Sequence, residues 1–277
     1  GIPECEFIAK INAEFSASGT CGVGFNSIRF DDEITRFTLY RSFFDPYERE
    51  WRNGNSRWDI IDLLRTAEAL RPDGIEWPMR EDGLPSFRLE DLTRVNEIEH
   101  SGAHDALSDV RATISLARLV REKQPRLFKY ALSLRNKKRV GQLVETTMLS
   151  PLLFISGIFG AKRHNTALVM PLWKNQSRIN EVLCFDLSKD PRYLIETQTE
   201  TLVDHHSNPT SGSDRGKDST GLYKIFLNRC PMLMTPKLLD PDLCRRLGID
   251  HERNLKTADI LSQWRQRHRK DFREKCE

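Results

Sequence analysis

The sequence predicts an α/β unit followed by a mainly β unit. In roughly the first 120 residues, apolar positions recur at the three- and four-residue spacing of helices around one short apolar run. Beyond Pro125, apolar runs of strand length alternate with polar turns. A chain of 277 residues is long enough for two hydrophobic cores. We therefore expect two domains, residues 1–123 and residues 124–277.

The first unit is expected to combine a short strand with helices. Residues 21–25 predict a buried strand, and Asp31 begins a helix whose early acidic residues complement the helix macrodipole. Ser56 is the expected N-cap of the next helix, which ends at the turn of residues 71–74. Ser86 begins another helix. The inward-facing positions expected in these two helices are Ile60, Leu64, Ala67 and Leu70, then Leu89, Leu92 and Val95.

A further helix follows a histidine. Asp105 is its expected N-cap. His104 then lies in the loop before the helix, and Asp109 projects from near its start. An imidazole five positions ahead of a carboxylate indicates a metal-assisted hydrolase. Four apolar residues at helical spacing are expected to share the buried face: Leu107, Val110, Ile114 and Ala117.

The second unit is expected to be built on strands. Its apolar runs predict strands at residues 152–159, 166–173, 181–187 and 222–227. The polar stretch 205–220, rich in Ser, Asp and Gly, predicts a loop between two of them. The last ~30 residues return to a charged helix.

The charges are nearly balanced in number but unevenly distributed. Lys and Arg number 43 against 40 Asp and Glu, which gives a formal net charge of +3. Between Arg118 and Arg139 there are nine basic residues and one acidic residue. Such stripes are typical of proteins that bind polyanions, although a solvated helix face has the same composition. A second basic cluster comprises Arg265, Arg267, Arg269, Lys270, Arg273 and Lys275.

The six cysteines, at positions 5, 21, 184, 230, 244 and 276, form no Cys-x-x-Cys pair. Their scatter disfavours both a zinc site and a disulfide framework, and it favours a reducing, cytoplasmic location. No apolar run approaches the ~20 residues of a membrane span, so no membrane partner is expected.

His100 and His104 stand four positions apart, which is the spacing of a zinc-binding His-Glu-x-x-His motif. The intervening residues Ser101, Gly102 and Ala103 include no Glu, and the glycine disfavours a helix here. We therefore expect no zinc site at this pair.

Five stretches of the sequence resemble one enzyme family. They are GFNSIRFDDE at 24–33, NSRWD at 55–59, DGLPSFRLE at 82–90, QPRLF at 124–128 and SGIFGA at 156–161. Together with His104 and Asp109, they resemble the exonuclease I family of the DEDDh 3′–5′ exonucleases. The resemblance runs through most of the chain. It implies an α/β ribonuclease H-like exonuclease domain followed by a mainly β, SH3-like domain.

The superfamily is named for four acidic residues and a histidine, and three of the five have matches here. By resemblance, Asp31 is the metal ligand of the second motif, His104 the general base and Asp109 the last metal ligand. The complete set holds two Mg²⁺ ions. The first motif, a strand-borne Asp-x-Glu, has no match before Asp31. The chain is therefore expected to be a fragment that lacks this motif and the C-terminal helical domain of the family.

Two Asp-x-Glu strings occur elsewhere in the chain, Asp31/Glu33 and Asp250/Glu252. On a strand, residues two apart point the same way and can share a metal, whereas on a helix they diverge. Asp31 begins a predicted helix, and Asp250 follows a Gly-Ile turn in the second unit. Neither string is expected to replace the first motif.

The resemblance also indicates residues that contact a single DNA strand. Tyr47 and Trp51 are expected to stack on bases, because aromatic faces and arginines are the usual contacts for single strands. Arg36, Arg65 and Arg88 are expected on the phosphate backbone, with Arg88 at a helix N-terminus that itself favours phosphate. The remaining candidates are Phe87 beside the terminal nucleotide, and Asn180 and Asn228 along the strand.

The resemblance implies a Mg²⁺-dependent 3′–5′ exodeoxyribonuclease that degrades single-stranded DNA to nucleoside 5′-monophosphates in DNA repair or recombination. The expected partners are single-stranded DNA and, by family resemblance, single-stranded DNA-binding protein. A catalytically inactive DNA-binding module is one alternative, because two metal-binding carboxylates have no match. An RNA-trimming relative is another. The chain alone is expected to show little nuclease activity and to be less stable than the complete protein.

Overall fold

The computed structural model describes residues 1–100, 105–146, 148–174, 177–197 and 220–276. The chain forms two compact units, Gly1–Asn136 and Lys137–Glu277. The first combines helices with a parallel pair of strands, and the second is built on an antiparallel sheet. This is the succession of an α/β unit and a mainly β unit that the sequence predicts.

In the first unit, β1 (Cys21–Gly24) pairs in parallel with β2 (Ser56–Asp59), with Cys21 opposite Ser56 and Gly24 opposite Asp59. A strand is therefore confirmed within the predicted residues 21–25, but its predicted burial is wrong, because Val23 is 52% exposed and the other three residues are half-buried. A parallel pair needs a crossover connection, and α2 lies within it. The helices described in this unit are α1 (Glu4–Ser16), α2 (Asp31–Arg41), α3 (Ile61–Leu70), α4 (Leu89–Val95), α5 (Ala106–Lys123) and α6 (Pro125–Ser133).

The prediction that Ser56 caps a helix is wrong. Ser56 begins β2, and its backbone N–H donates to the carbonyl of Thr20 at 2.9 Å. Helix α3 begins only at Ile61, whose N–H donates to the Asp59 carboxylate at 3.0 Å. An acidic side chain at the end of β2 therefore satisfies the start of α3. The strand depends on a partner far away in the sequence, which local cap chemistry does not reveal.

The inward positions predicted for α3 and α4 are largely confirmed. Leu92 of α4 is fully buried, while Leu89 and Val95 at the helix ends are half-buried. The four positions predicted around α3 are all buried: Ile60, Leu64, Ala67 and Leu70.

The predicted buried face of α5 is wrong. Leu107, Val110 and Ile114 are 56%, 54% and 45% exposed, and Ala117 is half-buried. Helices α4 and α6 pack against α5. Both sets of apolar residues have helical spacing, so the neighbouring helices decide which set faces the core. The buried side chains are Ala112, Leu116 and Val120.

Helix α6 extends the first unit beyond the predicted domain boundary. Pro125 occupies its first turn, where a missing backbone N–H breaks no helical hydrogen bond. Phe128 packs edge-on against Trp58 of β2, with ring centroids 5.2 Å apart. The compact units divide between Asn136 and Lys137, whereas the predicted boundary follows residue 123.

The strands described in the second unit are β3 (Leu152–Ile155), β4 (Thr166–Lys174), β5 (Glu181–Asp186), β6 (Leu222–Phe226) and β7 (Met232–Met234). They form one antiparallel sheet in the order β6–β5–β4–β3–β7. The helices described here are α7 (Lys137–Thr146), α8 (Arg192–Glu196), α9 (Pro241–Leu247), α10 (His251–Arg267) and α11 (Arg269–Cys276).

The strands predicted at 166–173, 181–187 and 222–227 are confirmed. The apolar run 152–159 is divided, because β3 ends at Ile155 and a short 3₁₀ turn, Gly157–Phe159, follows. Strand β7 is too short to give a periodic pattern and was not predicted. Apart from Thr220, the predicted loop at 205–220 lies outside the described residues.

Helices α10 and α11 meet through an aromatic contact. Trp264 of α10 and Phe272 of α11 are 6% and 2% exposed, and their ring centroids lie 5.1 Å apart. The predicted charged C-terminal helix is therefore confirmed as two helices that bury apolar side chains. No helix in the described part of the chain is both long and apolar enough to cross a bilayer. Three basic side chains lie over aromatic rings: Arg265 over Phe272, Arg273 over Trp173 and Lys275 over Trp264.

Candidate active site

Asp31 lies at the start of α2, after a tight connection from β1. Asn26 has a left-handed backbone, with φ 57°, and leads into a 3₁₀ turn at Ser27–Arg29. A Cβ at Gly24 would lie 2.5 Å from the Cβ and Oγ of Ser27, so this turn requires glycine there. The prediction that Asp31 begins a helix is confirmed.

The Asp59 carboxylate fixes this connection from the neighbouring strand. Its Oδ1 accepts the backbone N–H groups of Asn26 at 2.8 Å and Ile61 at 3.0 Å, and its Oδ2 accepts that of Ile28 at 3.2 Å. Asp59 is 9% exposed, and burial raises the pKa of its carboxyl although these N–H groups oppose the rise. One buried carboxylate therefore sets the position from which Asp31 projects.

The Asp31 side chain is exposed to solvent. Neighbouring atoms still desolvate the carboxyl in part, and this desolvation raises its pKa above the ordinary value. The backbone N–H of Asp31 opposes the rise, and the charge on Asp32 adds to it. A divalent cation would favour the ionised form and so reverse the shift. Asp31 is therefore accessible to a cation, which would stabilise its ionised form.

Asp32, the next residue of α2, points into a buried ion-pair network. It is 7% exposed and accepts hydrogen bonds from Arg49 Nη2 at 2.8 Å and Arg57 Nη1 at 2.6 Å. Arg49 and Arg57 are both 6% exposed, and Arg57 belongs to β2. The network joins the first turn of α2 to β2. It therefore helps to fix the position of Asp31, the candidate metal ligand in that turn.

Asp109 lies near the start of α5 and is held by a buried histidine. Asp105 caps the helix by accepting the N–H of Ser108 at 3.0 Å, as predicted. Asp109 Oδ1 lies 2.7 Å from His100 Nε2, and His100 Nδ1 lies 3.2 Å from Thr93 Oγ1. Because an ionised carboxylate only accepts hydrogen bonds, Nε2 carries the hydrogen. The His100 side chain is 5% exposed, so this contact restricts the orientation of the Asp109 carboxylate.

The contact between His100 and Asp109 was not predicted, because the spacing of His100 to His104 suggested only a zinc site, which was rejected. The two residues lie nine positions apart, and Thr93, which orients the imidazole, belongs to α4. No helical or strand period links these positions. The sequence signal that could have indicated this contact is a histidine without another assigned role, just before a helix that contains a candidate metal ligand.

His104, the predicted general base, lies outside the described residues. Asp31 and Glu33 lie on α2, while Asp250 caps α10 and Glu252 lies in its first turn, so neither Asp-x-Glu string lies on a strand. Among the residues that the structure describes, no group of three or more His, Cys, Asp or Glu side chains is placed to hold a metal ion. Asp31 and Asp109 remain the candidate ligands in this part of the chain.

The predicted stacking residues Tyr47 and Trp51 follow α2 and are 54% and 65% exposed. The Arg36 guanidinium lies 5.2 Å from the centre of the Tyr47 ring. Glu50 accepts two hydrogen bonds from Arg36, at 2.8 and 2.9 Å, and Glu33 accepts a third at 2.6 Å. Arg36 is thus paired with carboxylates and supports the Tyr47 ring, and its phosphate contact stays a prediction.

Three further predicted residues come together around α3 and α4. The Arg65 guanidinium lies 5.8 Å from the centre of the Phe87 ring and forms an ion pair with Asp62 at 2.6 Å. Trp77 packs beside Phe87, with centroids 6.3 Å apart. Arg88 is exposed at the N-cap of α4. Residues predicted from separate segments are therefore neighbours in this unit.

In the second unit, Asn180 and Asn228 lie at one end of the β5–β6 pair. Glu181 is opposite Phe226, and the N–H of Leu227 donates to the Asn180 carbonyl at 2.8 Å. Asn228 is exposed, and the Asn180 side-chain oxygen is buried without a hydrogen-bond partner among the described residues. The structure therefore places Asn180 and Asn228, the two predicted contacts to the DNA strand, near each other.

Family models match both units. A model described as Exonuclease covers residues 3–117, and a model described as Exonuclease I SH3-like domain covers residues 135–276. Exodeoxyribonuclease I of Haemophilus influenzae is 44% identical over 281 residues, which are 96% of this chain and 59% of that protein. The match extends across both units in a single relative.

Solved structures show the same similarity. Exonuclease I of E. coli in complex with a dA16 oligonucleotide has a TM-score of 0.87 and 42% identity, and the match covers 99% of this chain and 59% of that chain. A complex of exonuclease I with SSB-Ct has a TM-score of 0.89 and 41% identity, covering all of this chain and 59% of that chain. The chain thus spans less than two thirds of the length of these relatives. With an α/β exonuclease domain followed by an SH3-like domain, the chain belongs to the exonuclease I family.

Proposed function

We propose that this chain carries part of the active site of a Mg²⁺-dependent 3′–5′ exodeoxyribonuclease that degrades single-stranded DNA to nucleoside 5′-monophosphates. The observation that carries the proposal is the Asp109 carboxylate, oriented by His100 at the start of α5. The 44% identity to exodeoxyribonuclease I of Haemophilus influenzae supports the reaction class. We place the activity in DNA repair or recombination in the cytoplasm.

Asp31 and Asp109 are the residues that would hold Mg²⁺. Mg²⁺ prefers oxygen ligands and keeps several waters, so an exposed carboxylate and an oriented carboxylate fit its requirements. When bound, Mg²⁺ supplies charge neutralisation at the phosphate and lowers the pKa of a coordinated water. Two ions are proposed for a site that also contains the first-motif carboxylates.

The protein side chains bind the strand and move the proton. His104 is proposed to take a proton from the attacking water, a role suited to an imidazole that titrates near neutral pH. His100 donates a hydrogen bond to Asp109 and so restricts the orientation of its carboxylate. Tyr47 and Trp51 offer exposed rings on which successive bases stack, and Arg88 offers an exposed cation to the phosphates.

The proposed partners follow from the solved relatives. Exonuclease I of E. coli was solved with a dA16 oligonucleotide, which supports single-stranded DNA as the substrate here. Another exonuclease I structure contains SSB-Ct, which supports single-stranded DNA-binding protein as a partner. A DNA-binding module without activity is the second candidate, because neither Asp-x-Glu string of this chain lies on a strand.

Matched DNA and RNA oligonucleotides of one sequence test the proposal. The intact chain, and a version extended upstream by an Asp-x-Glu strand, are incubated with each strand in Mg²⁺ and in EDTA. We expect DNA binding in both buffers and Mg²⁺-dependent release of nucleoside 5′-monophosphates from DNA by the extended version. Equal trimming of RNA would overturn the DNA assignment, because a 2′-hydroxyl contact distinguishes the two. DNA binding without nucleotide products would overturn the proposed nuclease and favour the inactive DNA-binding module.

Substituting His100 is expected to weaken metal binding. His100→Leu removes the donor that orients Asp109, and loss of such an outer-shell contact typically lowers metal affinity about 10- to 100-fold. Mn²⁺ binding to the extended version, followed by electron paramagnetic resonance, measures the change without turnover. His100→Gln keeps an N–H donor and should recover part of the affinity. Equal affinity in His100→Leu and the parent would show that His100 does not position the carboxylate.

A further inference from the structure

An exposed patch of positive charge lies where α10 ends and α11 begins. Among the residues that the structure describes, no carboxylate forms an ion pair with Arg265, Arg267 or Arg269. Lys270 lies 3.8 Å from Glu274, at the outer limit of an ion pair. We call this set the junction patch: Arg265, Arg267, His268, Arg269 and Lys270, all exposed.

Three other exposed cations of the second unit are paired with nearby carboxylates. Arg192 pairs with Asp190 at 2.5 Å, and Lys256 pairs with Glu252 at 2.6 Å on α10 itself. Arg245 pairs with Asp242 one turn earlier on α9. Lys162, Lys237 and Arg253 are also exposed and form no ion pair among the described residues, but they are far apart in the sequence. The junction patch places four cations within residues 265–270, whereas an ordinary solvated helix face carries interspersed charges of both signs.

Local helix stability explains only half of the junction patch. Arg265 and Arg267 lie in the last turn of α10, where cations complement the helix macrodipole. Arg269 and Lys270 open α11, where the macrodipole disfavours cations. Positions at which local rules are broken are candidate functional sites.

We propose that the junction patch binds the phosphate backbone of a single DNA strand. Arg265 lies over the Phe272 ring, 5.6 Å from its centre, so one cation is anchored to the core of the α10–α11 pair. Arg267, Arg269 and Lys270 extend from this anchor into solvent. A flexible strand with one phosphate per nucleotide adapts to such a bent row of cations. This inference rests on the proposed substrate.

The test is binding of a fluorescein-labelled oligothymidylate to the intact chain in EDTA, where no metal-dependent cleavage occurs. The triple variant Arg267→Gln, Arg269→Gln, Lys270→Gln retains Arg265 and Arg273, which lie over aromatic rings. Each lost phosphate contact should reduce the slope of log affinity against log salt by about 0.7, so the triple variant should lose about 2.

A second triple variant controls for net charge. Arg192→Gln, Arg245→Gln, Lys256→Gln removes the same charge from the same unit, but from side chains that are already paired. We expect its salt slope to stay close to that of the parent. Equal losses in the two variants, or no loss in the junction variant, would overturn the proposal.

Two further readouts separate the possible failures. The junction variant should melt close to the parent temperature, because losing Arg267 from the C-terminus of α10 and removing two cations from the N-terminus of α11 have opposite effects on the helix macrodipoles. A melting temperature well below that of the parent would show that the patch stabilises the fold, and it would overturn the proposal. Competition by polyglutamate equal to that by unlabelled DNA would assign the patch to acidic protein instead. If digestion fails but the slope changes, the proposed activity is wrong and the junction patch stands.

Discussion

Replacing Asp32 with alanine is expected to destabilise the first unit by about 3–5 kcal/mol, because it leaves two buried guanidiniums without their carboxylate. Arg49 and Arg57 approach Asp32 at 2.8 and 2.6 Å, and all three side chains are at most 10% exposed. Glu50, 3.3 Å from Arg57, compensates only part of the charge. Urea unfolding of the intact chain, with hydrogen exchange of the α2 amides, measures the loss.

A surface ion pair of the same unit provides the control. Glu4 and Arg41 pair at 2.6 Å but are both more than half exposed, so Glu4→Gln should change the free energy of unfolding by about 1 kcal/mol or less. Should Asp32→Ala prove as mild as Glu4→Gln, the buried network would not support α2, and our explanation for the position of Asp31 would be wrong.

Replacing Asp109 with asparagine is expected to lower the nuclease rate of the extended version by about two to four orders of magnitude. A bound metal contributes several kcal/mol of transition-state stabilisation, and about 1.4 kcal/mol corresponds to a factor of ten. Asparagine keeps an oxygen that accepts the His100 hydrogen bond, so the fold is retained while the charge is lost. Initial rates at saturating Mg²⁺ measure the effect.

Asp105→Ser is the matched control for Asp109. Serine preserves an N-cap acceptor for Ser108 and removes a carboxylate four positions from Asp109. We expect its rate to stay close to that of the parent. A comparable loss in both variants would mean that charge near the start of α5, rather than metal binding by Asp109, controls the rate.

The parts of the fold that local rules determine were predictable. The short β1 strand, the acidic first turn of α2 and the Asp105 cap all follow from residues within a few positions of one another. Helix α6 could also have been predicted, since Pro125 is a typical first-turn residue, but the apolar runs beyond it favoured strands.

The remaining features depend on contacts between distant segments. Ser56 has the chemistry of a cap, yet pairing with β1 makes it the start of a strand. The exposed side chain of Val110 fits a helical period as well as the buried Leu116 does, and only packing by α4 and α6 decides between them. Likewise, no local pattern connects His100 with Asp109.

The candidate site was predictable where family motifs name a residue, and less so where the environment decides its role. Asp31 and Asp109 were chosen from motifs, and the structure shows one exposed and the other held by a histidine. Arg36 was chosen as a phosphate contact. Its partner Glu33 follows from helical spacing, but Glu50, fourteen positions away, is revealed only by the folded chain.

One digestion experiment bears most directly on the proposed nuclease. A 5′-labelled single-stranded DNA oligonucleotide is incubated with Mg²⁺ and either this chain or the version extended upstream by an Asp-x-Glu strand. We predict a ladder that shortens from the 3′ end with the extended version, and little product with the present chain, whose two Asp-x-Glu strings lie on helices or at a helix cap. Inactivity of both, with DNA still bound, would contradict the proposal and leave a DNA-binding module.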